Sequence, residues 1–486
     1  MNVNKAAGPD GIPNKILKAC AEEVAPALTI IFQESLNTGQ LPSDWKEAIV
    51  TPIFKKGDKH IPQNYRPVSL TSVSCKLLEH IVCRHILKHL EKHKILSNLQ
   101  HGFRSGHSCE SQLITTMSDL YEAHNDKDQV DMVILDFSKA FDTVPHKKLL
   151  HKLKNYGIDG RLNAWVEQFL VNRRQRVLVD GAFSGYDKVL SGVPQGTVLG
   201  PLLFLCHIND LPQHVLSQIR LFADDCLLYR RIKKEEDQLI LQEDLKALEE
   251  WATTWGMKFN STKCYVMTIS RSRKPFTKFY QLGDHILQQV SENPYLGLMI
   301  RDDLKWSSHI NKTSSKASQT LGFLKRNLKN CKQSFKETAY IALVRSVLEY
   351  SCTVWDPHYD QDITRLEKIQ RKAARFVKGD YGRYSSVTQM MNELNWKPLA
   401  SRRREKRLVL LYKIVNKLVA IPPDEHFAYK AHSNRSKTTN SKLIEVKHCD
   451  IDTYRYSFFP RTSLEWNRLS DREVVDCQSV NQFKAI

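Results

Sequence analysis

The chain lacks any apolar run of the roughly 20 residues that a helical membrane span needs. Its opening, Met1-Asn2-Val3-Asn4-Lys5-Ala6, lacks the apolar core of a signal peptide. Cysteine occurs 11 times but never as a Cys-x-x-Cys pair, and no Cys/His knuckle spacing is present. An odd count with irregular spacing indicates neither a disulfide framework nor a zinc site. Reduced thiols in a nuclear or cytoplasmic protein are the simplest reading. No internal repeat recurs at a fixed period. Acidic residues are in deficit, 53 Asp+Glu against 72 Lys+Arg, which leaves a net charge of +19. Such an excess points to a polyanionic partner, nucleic acid ahead of an anionic membrane surface.

What is present is enough apolar residue, 41% of the chain, to fill real cores. A length of 486 residues predicts two to four subdomains. Helical spacing appears at Ile16, Leu17, Cys20, Val24, Leu28, Ile31 and Phe32, and again from Cys75 to Leu90. A helical stretch is expected over 147–172, and the helix after residue 234 is expected to bury Leu239, Leu245, Leu248, Trp251 and Trp255. From Leu304 to about Leu418 the chain reads as basic helices, including Ile363–Val377 and the run Arg402-Arg403-Arg404-Glu405-Lys406-Arg407, whose charge favours contact with phosphates. A Ser/Asn/Lys-rich stretch after Pro422-Pro423 reads as a mobile linker.

Two adjacent acids stand out in Arg220-Leu221-Phe222-Ala223-Asp224-Asp225-Cys226-Leu227-Leu228-Tyr229. Each flanking apolar run has strand length, so a hairpin with Asp224-Asp225 at its turn is expected. Folding alone does not call for two repelling carboxylates there, although Asp is also a common turn residue. Hard divalent cations do call for them, because Mg²⁺ takes oxygen ligands from one or two carboxylates plus substrate phosphates. Upstream, Val130-Asp131-Met132-Val133-Ile134-Leu135 ends abruptly in Asp136, which a buried strand would deliver on a rigid element. For Asp142 a turn or capping role suffices. Three carboxylates from neighbouring strands would hold two Mg²⁺ ions, the arrangement that serves in-line phosphoryl transfer.

The ordered motifs Gly8-Pro9-Asp10-Gly11-Ile12-Pro13, Tyr65-Arg66-Pro67-Val68-Ser69-Leu70, Gln100-His101-Gly102-Phe103-Arg104, Asp136–Asp142, Gly192-Val193-Pro194-Gln195-Gly196, Phe222-Ala223-Asp224-Asp225, Lys263 and Tyr295-Leu296-Gly297 closely resemble the reverse transcriptase of non-LTR (LINE-type), jockey-like retrotransposons. The likeness spans roughly residues 5–420, with an echo at Pro460–Asn467. It implies an α+β chain with the right-hand polymerase fold: fingers, an α/β palm and a helical thumb, with a basic helical C-terminal extension. The implied divisions are 1–35 (N-terminal fingers extension), 36–300 (fingers and palm), 301–420 (basic thumb and connection), 421–450 (linker) and 451–486 (small C-terminal segment).

The resemblance also implies roles. Asp136, Asp224 and Asp225 would be the catalytic metal ligands, holding two Mg²⁺ ions (Mn²⁺ as substitute) with the Phe137 carbonyl assisting. Arg66 and Arg104 would bind the triphosphate, and Lys263 would approach it. Phe141 would gate against a ribose 2′-OH. Gln195 and Gly196 would pack on the nascent base pair, and Tyr295, Leu296 and Gly297 would lie under the primer end. The implied partners are an RNA template, a DNA primer or nicked target DNA, and dNTPs, with no membrane. No upstream endonuclease region is expected, so integration would need a separate endonuclease. Phe222 stands where many relatives have Tyr, which removes only a hydroxyl. The alternative is a catalytically inactive nucleic-acid-binding scaffold or truncated element relic, and the intact acids and Phe141 argue against the scaffold.

Overall fold

The computed structural model describes residues 2–430, 442–470, 477 and 479–485. Helices Asn14–Ala19 and Ala21–Thr38 come first, and two strands follow where β-branched and aromatic residues run between Gly, Pro and Asn punctuation. They are β1 (Glu47–Phe54) and β2 (Tyr65–Leu70), antiparallel with Ile53 opposite Arg66. Helices Val73–Lys92 and Cys109–Asn125 follow, then β3 (Gln129–Leu135). The stretch 147–172 is two helices, His146–Asn155 and Gly160–Leu170, broken near Gly157. Next, β4 (Arg173–Val179) returns to lie parallel to β1, and β5 (Ala182–Phe183) and β6 (Asp187–Val189) complete a five-stranded first sheet.

A second five-stranded sheet holds the centre. It uses β3 with β7 (Gln218–Phe222), β8 (Asp225–Ile232) and β9 (Tyr265–Ile269). After the short pair β10 (Gln281–Leu282) and β11 (His285–Ile286), β12 (Gln288–Gln289) adds an edge, giving the order β12-β9-β3-β8-β7. The hairpin β13 (Glu292–Tyr295) and β14 (Leu298–Arg301) then leads into helix Ser307–Asn327.

The central sheet divides the interior. Successive strand residues point to opposite faces. Val130 and Met132 of β3, Leu227 and Tyr229 of β8, and Met267 and Ile269 of β9 enter one core with the helices after residue 306. Val133, Leu135, Cys226, Leu228 and Val266 enter the other core, with helices 73–92, 199–208 and 235–255. Burial on both faces explains why β3 reads as a nearly continuous apolar run.

Helix Glu235–Trp255 buries Leu241, Leu245, Leu248 and Trp251 in that second core, with Trp255 packed at its edge. Leu239, expected inside, is 54% exposed. It lies two residues before Leu241, and two residues turn a helix by about 200°, onto the opposite face.

The basic run 402–407 lies in helix Leu399–Val415 and is spent internally. Arg403 and Arg407, each 1% exposed, pair with Asp356 at 2.6 and 2.9 Å. Arg402 and Lys406 pair with Glu349, and Arg404 and Arg407 with Glu465. This stretch was expected to meet phosphates; instead its charges hold the C-terminal helices together. Asp356→Ala would leave two buried guanidiniums under-compensated and should cost about 3–5 kcal/mol in denaturant unfolding.

Around the stretch read as a linker, Ile421, Phe427 and Ile444 are buried, while residues 431–441 lie outside the described residues. The C-terminal segment docks as well. Asn467 exchanges hydrogen bonds with the backbone of Ile444 (2.9 and 2.8 Å), and Lys447 pairs with Glu122 of helix 109–125 at 2.5 Å.

Candidate active site

Asp136 is the first residue beyond β3. Leu135 pairs with Cys226 of β8, and continuing that register sets Asp136 opposite Asp225. In the β7–β8 hairpin Phe222 pairs with Asp225, so the two-residue turn is Ala223-Asp224. The sequence predicts both acids at the turn; one is there, and the other opens β8. Ala223 carries φ +53°, the left-handed conformation that tight hairpin turns require and alanine disfavours.

The acids share one electrostatic field. Although Asp225 is exposed at the mouth of the cleft, desolvation by the surrounding chain, then Asp224, then Asp136, push its carboxyl up to about 6, against the pull of Arg66. Asp224 is raised mainly by burial, with Asp136 adding to the rise and Arg66 and Lys55 opposing it. Lys263 reaches the same cluster, its Nζ 3.7 Å from Asp136 Oδ2. It sits in the turn Ser261–Lys263, beside Asn260, whose amide donates to the Asp136 carbonyl at 2.7 Å. The Phe137 ring stacks on Phe259 at 4.3 Å and is buried, leaving only its backbone for the cleft.

Among the described residues, no group of three or more His, Cys, Asp or Glu side chains closes around a metal position. The donor chemistry nevertheless fits Mg²⁺. Hard carboxylate oxygens, with Asp136 raising Asp224 and both raising Asp225, form a set short of positive charge, and Mg²⁺ sites are commonly completed by substrate phosphates and water.

Phe141 lies in the helical turn Ala140–Thr143, half-buried. Its ring stacks on Phe204 at 4.4 Å and meets Phe103 edge-on at 6.3 Å. Its carbonyl accepts from Val193 N at 2.7 Å. Gln195 donates from Nε2 to Asp142 Oδ1 at 3.1 Å, and its carbonyl accepts from Ser69 N at 2.8 Å. Asp142 thus does more than end a turn, because it holds the side chain of Gln195. A Cβ on Gly196 would lie 2.5 Å from the Ser69 carbonyl oxygen, and its φ is +107°, so only glycine fits there. Phe141, the Gly192–Gly196 loop and the strand carrying Arg66 therefore form one hydrogen-bonded unit.

Arg104 and Tyr295 make internal contacts. Arg104 folds back, donating from Nη1 to the Ser97 carbonyl at 2.6 Å. Tyr295 is buried in the first core, with its hydroxyl accepting from Gln112 Nε2 at 3.1 Å. Leu296 and Gly297, at φ +44° and +84°, form the turn beyond it, and the Leu296 carbonyl accepts from Tyr350 Oη at 3.0 Å.

Sequence reasoning missed β9, whose short apolar run Tyr265–Ile269 was the available signal, and it missed Glu79. That carboxylate, fully buried in helix 73–92, accepts from Val198 N (2.7 Å) and Leu199 N (2.9 Å) at the start of helix Leu199–Ile208. An acid in helical phase with Cys75, Val82 and Ile86, on the buried face of its helix, was its signal. Glu79→Ala would strand both amides and should cost about 2–4 kcal/mol by denaturant unfolding.

Residues 53–300 match the family model described as reverse transcriptase (RNA-dependent DNA polymerase). Over 417 residues the chain is 30% identical to the probable RNA-directed DNA polymerase from transposon BS of Drosophila melanogaster, covering 81% of this chain and 45% of that protein. Against the probable RNA-directed DNA polymerase from transposon X-element of the same organism, identity is 29% over 386 residues, covering 77% and 42%. Against the RNA-directed DNA polymerase from mobile element jockey, again of Drosophila melanogaster, it is 28% over 391 residues, covering 78% and 42%. The chain spans less than half the length of these relatives. With just over half of its residues inside the family model and the three acids at the end of its central sheet, the chain belongs to the reverse transcriptase (RNA-dependent DNA polymerase) family and resembles the non-LTR, jockey-like branch of it.

Proposed function

We propose that this chain is an RNA-directed DNA polymerase that adds dNTPs to a primer 3′-OH on an RNA template by two-metal catalysis. The observation that carries the reading is the strand register that sets Asp136 opposite Asp225, with Asp224 in the adjoining turn, so that three carboxylates meet at one end of the central sheet. In this reading the first sheet belongs to the fingers, the central sheet is the palm, and the helices after Leu304 are the thumb and its connection. When bound, two Mg²⁺ ions (or Mn²⁺) supply charge neutralisation at the attacking and leaving oxygens.

The chain's own residues do the rest. Asp136, Asp224 and Asp225, with the Phe137 carbonyl, provide the metal's oxygen ligands. Arg66 offers the triphosphate a planar fork of donors. Arg66 is preferred to Arg104 for this because Arg104 is committed to Ser97. Lys263 stands by the acids to protonate the leaving pyrophosphate. Phe141 fills the space of a 2′-OH, and Gln195 and Gly196 form the surface beneath the new base pair. The Leu296-Gly297 turn supports the primer end, with Tyr295 anchoring it from the core. Helix Asp360–Lys378 buries Leu366, Ile369, Ala373 and Phe376 and carries Arg365, Lys368, Arg371, Lys372 and Arg375, a basic set suited to duplex phosphates.

The template would be RNA, and the primer a DNA end or a nicked target. Making that nick is endonuclease chemistry, which none of these residues supplies. The setting would be nuclear or cytoplasmic; no described helix is long and apolar enough to cross a membrane. The test is incubation of the purified chain with a DNA primer annealed to an RNA template, Mg²⁺ and dNTPs. Elongation to the template end is expected, and an unextended primer would count against the reading.

A further inference from the structure

The segment Gln100-His101-Gly102-Phe103-Arg104 is not accounted for by phosphate binding, because its arginine is turned inward. Its contacts lead to the acidic hairpin instead. Gln100 is 3% exposed, and its amide makes three hydrogen bonds. Oε1 accepts from Ala223 N at 2.8 Å and from Gly102 N at 2.7 Å, while Nε2 donates to the Ala223 carbonyl at 3.2 Å. One side chain therefore takes both backbone polar groups of the turn residue with the disfavoured φ of +53°.

The main chain reinforces the grip. Strand β7 is the edge of the central sheet, and residues 99–101 add to that edge in parallel. Leu221 N donates to the Leu99 carbonyl and His101 N to the Leu221 carbonyl, both at 2.9 Å. A Cβ on Gly102 would stand 2.3 Å from Ala223 N, so the approach requires glycine. The segment is itself braced: Arg104 bonds the Ser97 carbonyl, Asn209 Oδ1 accepts from Ser97 N at 2.8 Å, and His101 Nδ1 lies 2.9 Å from Ser111 Oγ.

We infer that Gln100 is a positioning residue whose amide clamps the Ala223 turn, so that Asp224 and Asp225 are presented in the geometry that binds divalent cations. This rests on the polymerase reading of the site. Metal ligands must be held within about 0.5 Å of their working positions, and a two-residue turn with an alanine in the left-handed region does not hold itself. The clamp also assigns Arg104 a task, that of bracing the segment which carries Gln100.

The test uses the full chain and Mn²⁺ alone as probe. Gln100→Met keeps the volume and removes all three bonds. Gly102→Ala keeps the Gln100 amide and presses on the same turn from outside, its Cβ falling 2.3 Å from Ala223 N and 3.0 Å from Gln100 Oε1. For both, Mn²⁺ affinity measured by calorimetry without nucleic acid should fall 10–100-fold. The amides of residues 222–225 should exchange hydrogen faster, and kcat for primer extension should drop by a similar factor, with KM for dNTP within about twofold. Adding Ala223→Gly to Gln100→Met should recover part of the Mn²⁺ affinity, because glycine adopts the turn unaided. A residue that merely packs would lower the melting temperature and leave affinity and kcat in place, and that result in both variants overturns the clamp. Should Gln100→Met not fold, Gly102→Ala decides. A wild type that binds Mn²⁺ without extending primer fails the polymerase reading alone, with the clamp still judged by affinity and exchange. A wild type that does neither overturns both.

Discussion

Replacing Asp224 and Asp225 together with asparagine should lower primer extension by roughly 10³-fold or more and, in the absence of metal, make the protein more stable. Both effects have the same origin. A carboxyl whose folded-state pKa is raised is less stable ionised in the fold than in the unfolded chain, so folding stability is lost as pH rises through the folded value and regained as pH falls. For Asp225 that value is about 6, set by desolvation and by the neighbouring Asp224 and Asp136. At pH 7.5 the neutral amides remove this cost, and the metal-free melting temperature should rise by about 1–2 °C. At pH 5, where wild-type Asp225 is already protonated, the gain should shrink. Mg²⁺ should raise the melting temperature of the wild type and not of the variant. Wild-type cation affinity should weaken below about pH 6, because protons compete for the same oxygens. A metal-free melting temperature that falls in the variant would show that the acids serve the fold rather than a cation.

Phe141→Ala should reduce the preference for dNTPs over NTPs by about 10²-fold, read as the ratio of kcat/KM for the two sugars. The ring is half-buried between Phe204 and Phe103, so its position is set from two sides. Its carbonyl is tied to Val193, in the loop that carries Gln195. Truncation removes the ring and keeps that backbone bond, so the cleft should widen without collapsing. Phe141→Val should give an intermediate ratio. Unchanged sugar discrimination in both variants would refute the gate.

The acids were legible because their chemistry conflicts with their surroundings. Asp136 ends an apolar run, and Asp224-Asp225 interrupts another, so neither pattern is explained by packing. Strand β3 was legible as an apolar run, but not that its two faces feed different cores, which depends on what covers each side. The charge run 402–407 misled because sequence shows Arg403 and Arg407 but not that Asp356, some 50 residues away, lies between them. The Arg104 contact was not legible: an arginine among glycines suits phosphate binding, and only the fold brings the Ser97 carbonyl to its Nη1. Leu239 erred by half a helical turn, a matter of phase that a few apolar residues do not fix. Gln100 left no signal in its own residue type, because an amide that satisfies a turn more than 120 positions away looks like any polar loop residue.

The proposed copying of an RNA template depends on the acids at the end of the central sheet. Its most direct test is extension of a DNA primer on an RNA template with Mg²⁺ and dNTPs, run side by side for the wild type and Asp224→Asn/Asp225→Asn, with duplex binding measured for both. Extension by the wild type, none by the variant, and duplex binding by each are expected. Tight duplex binding with no extension by either protein would contradict the proposal and identify the chain as a nucleic-acid-binding scaffold.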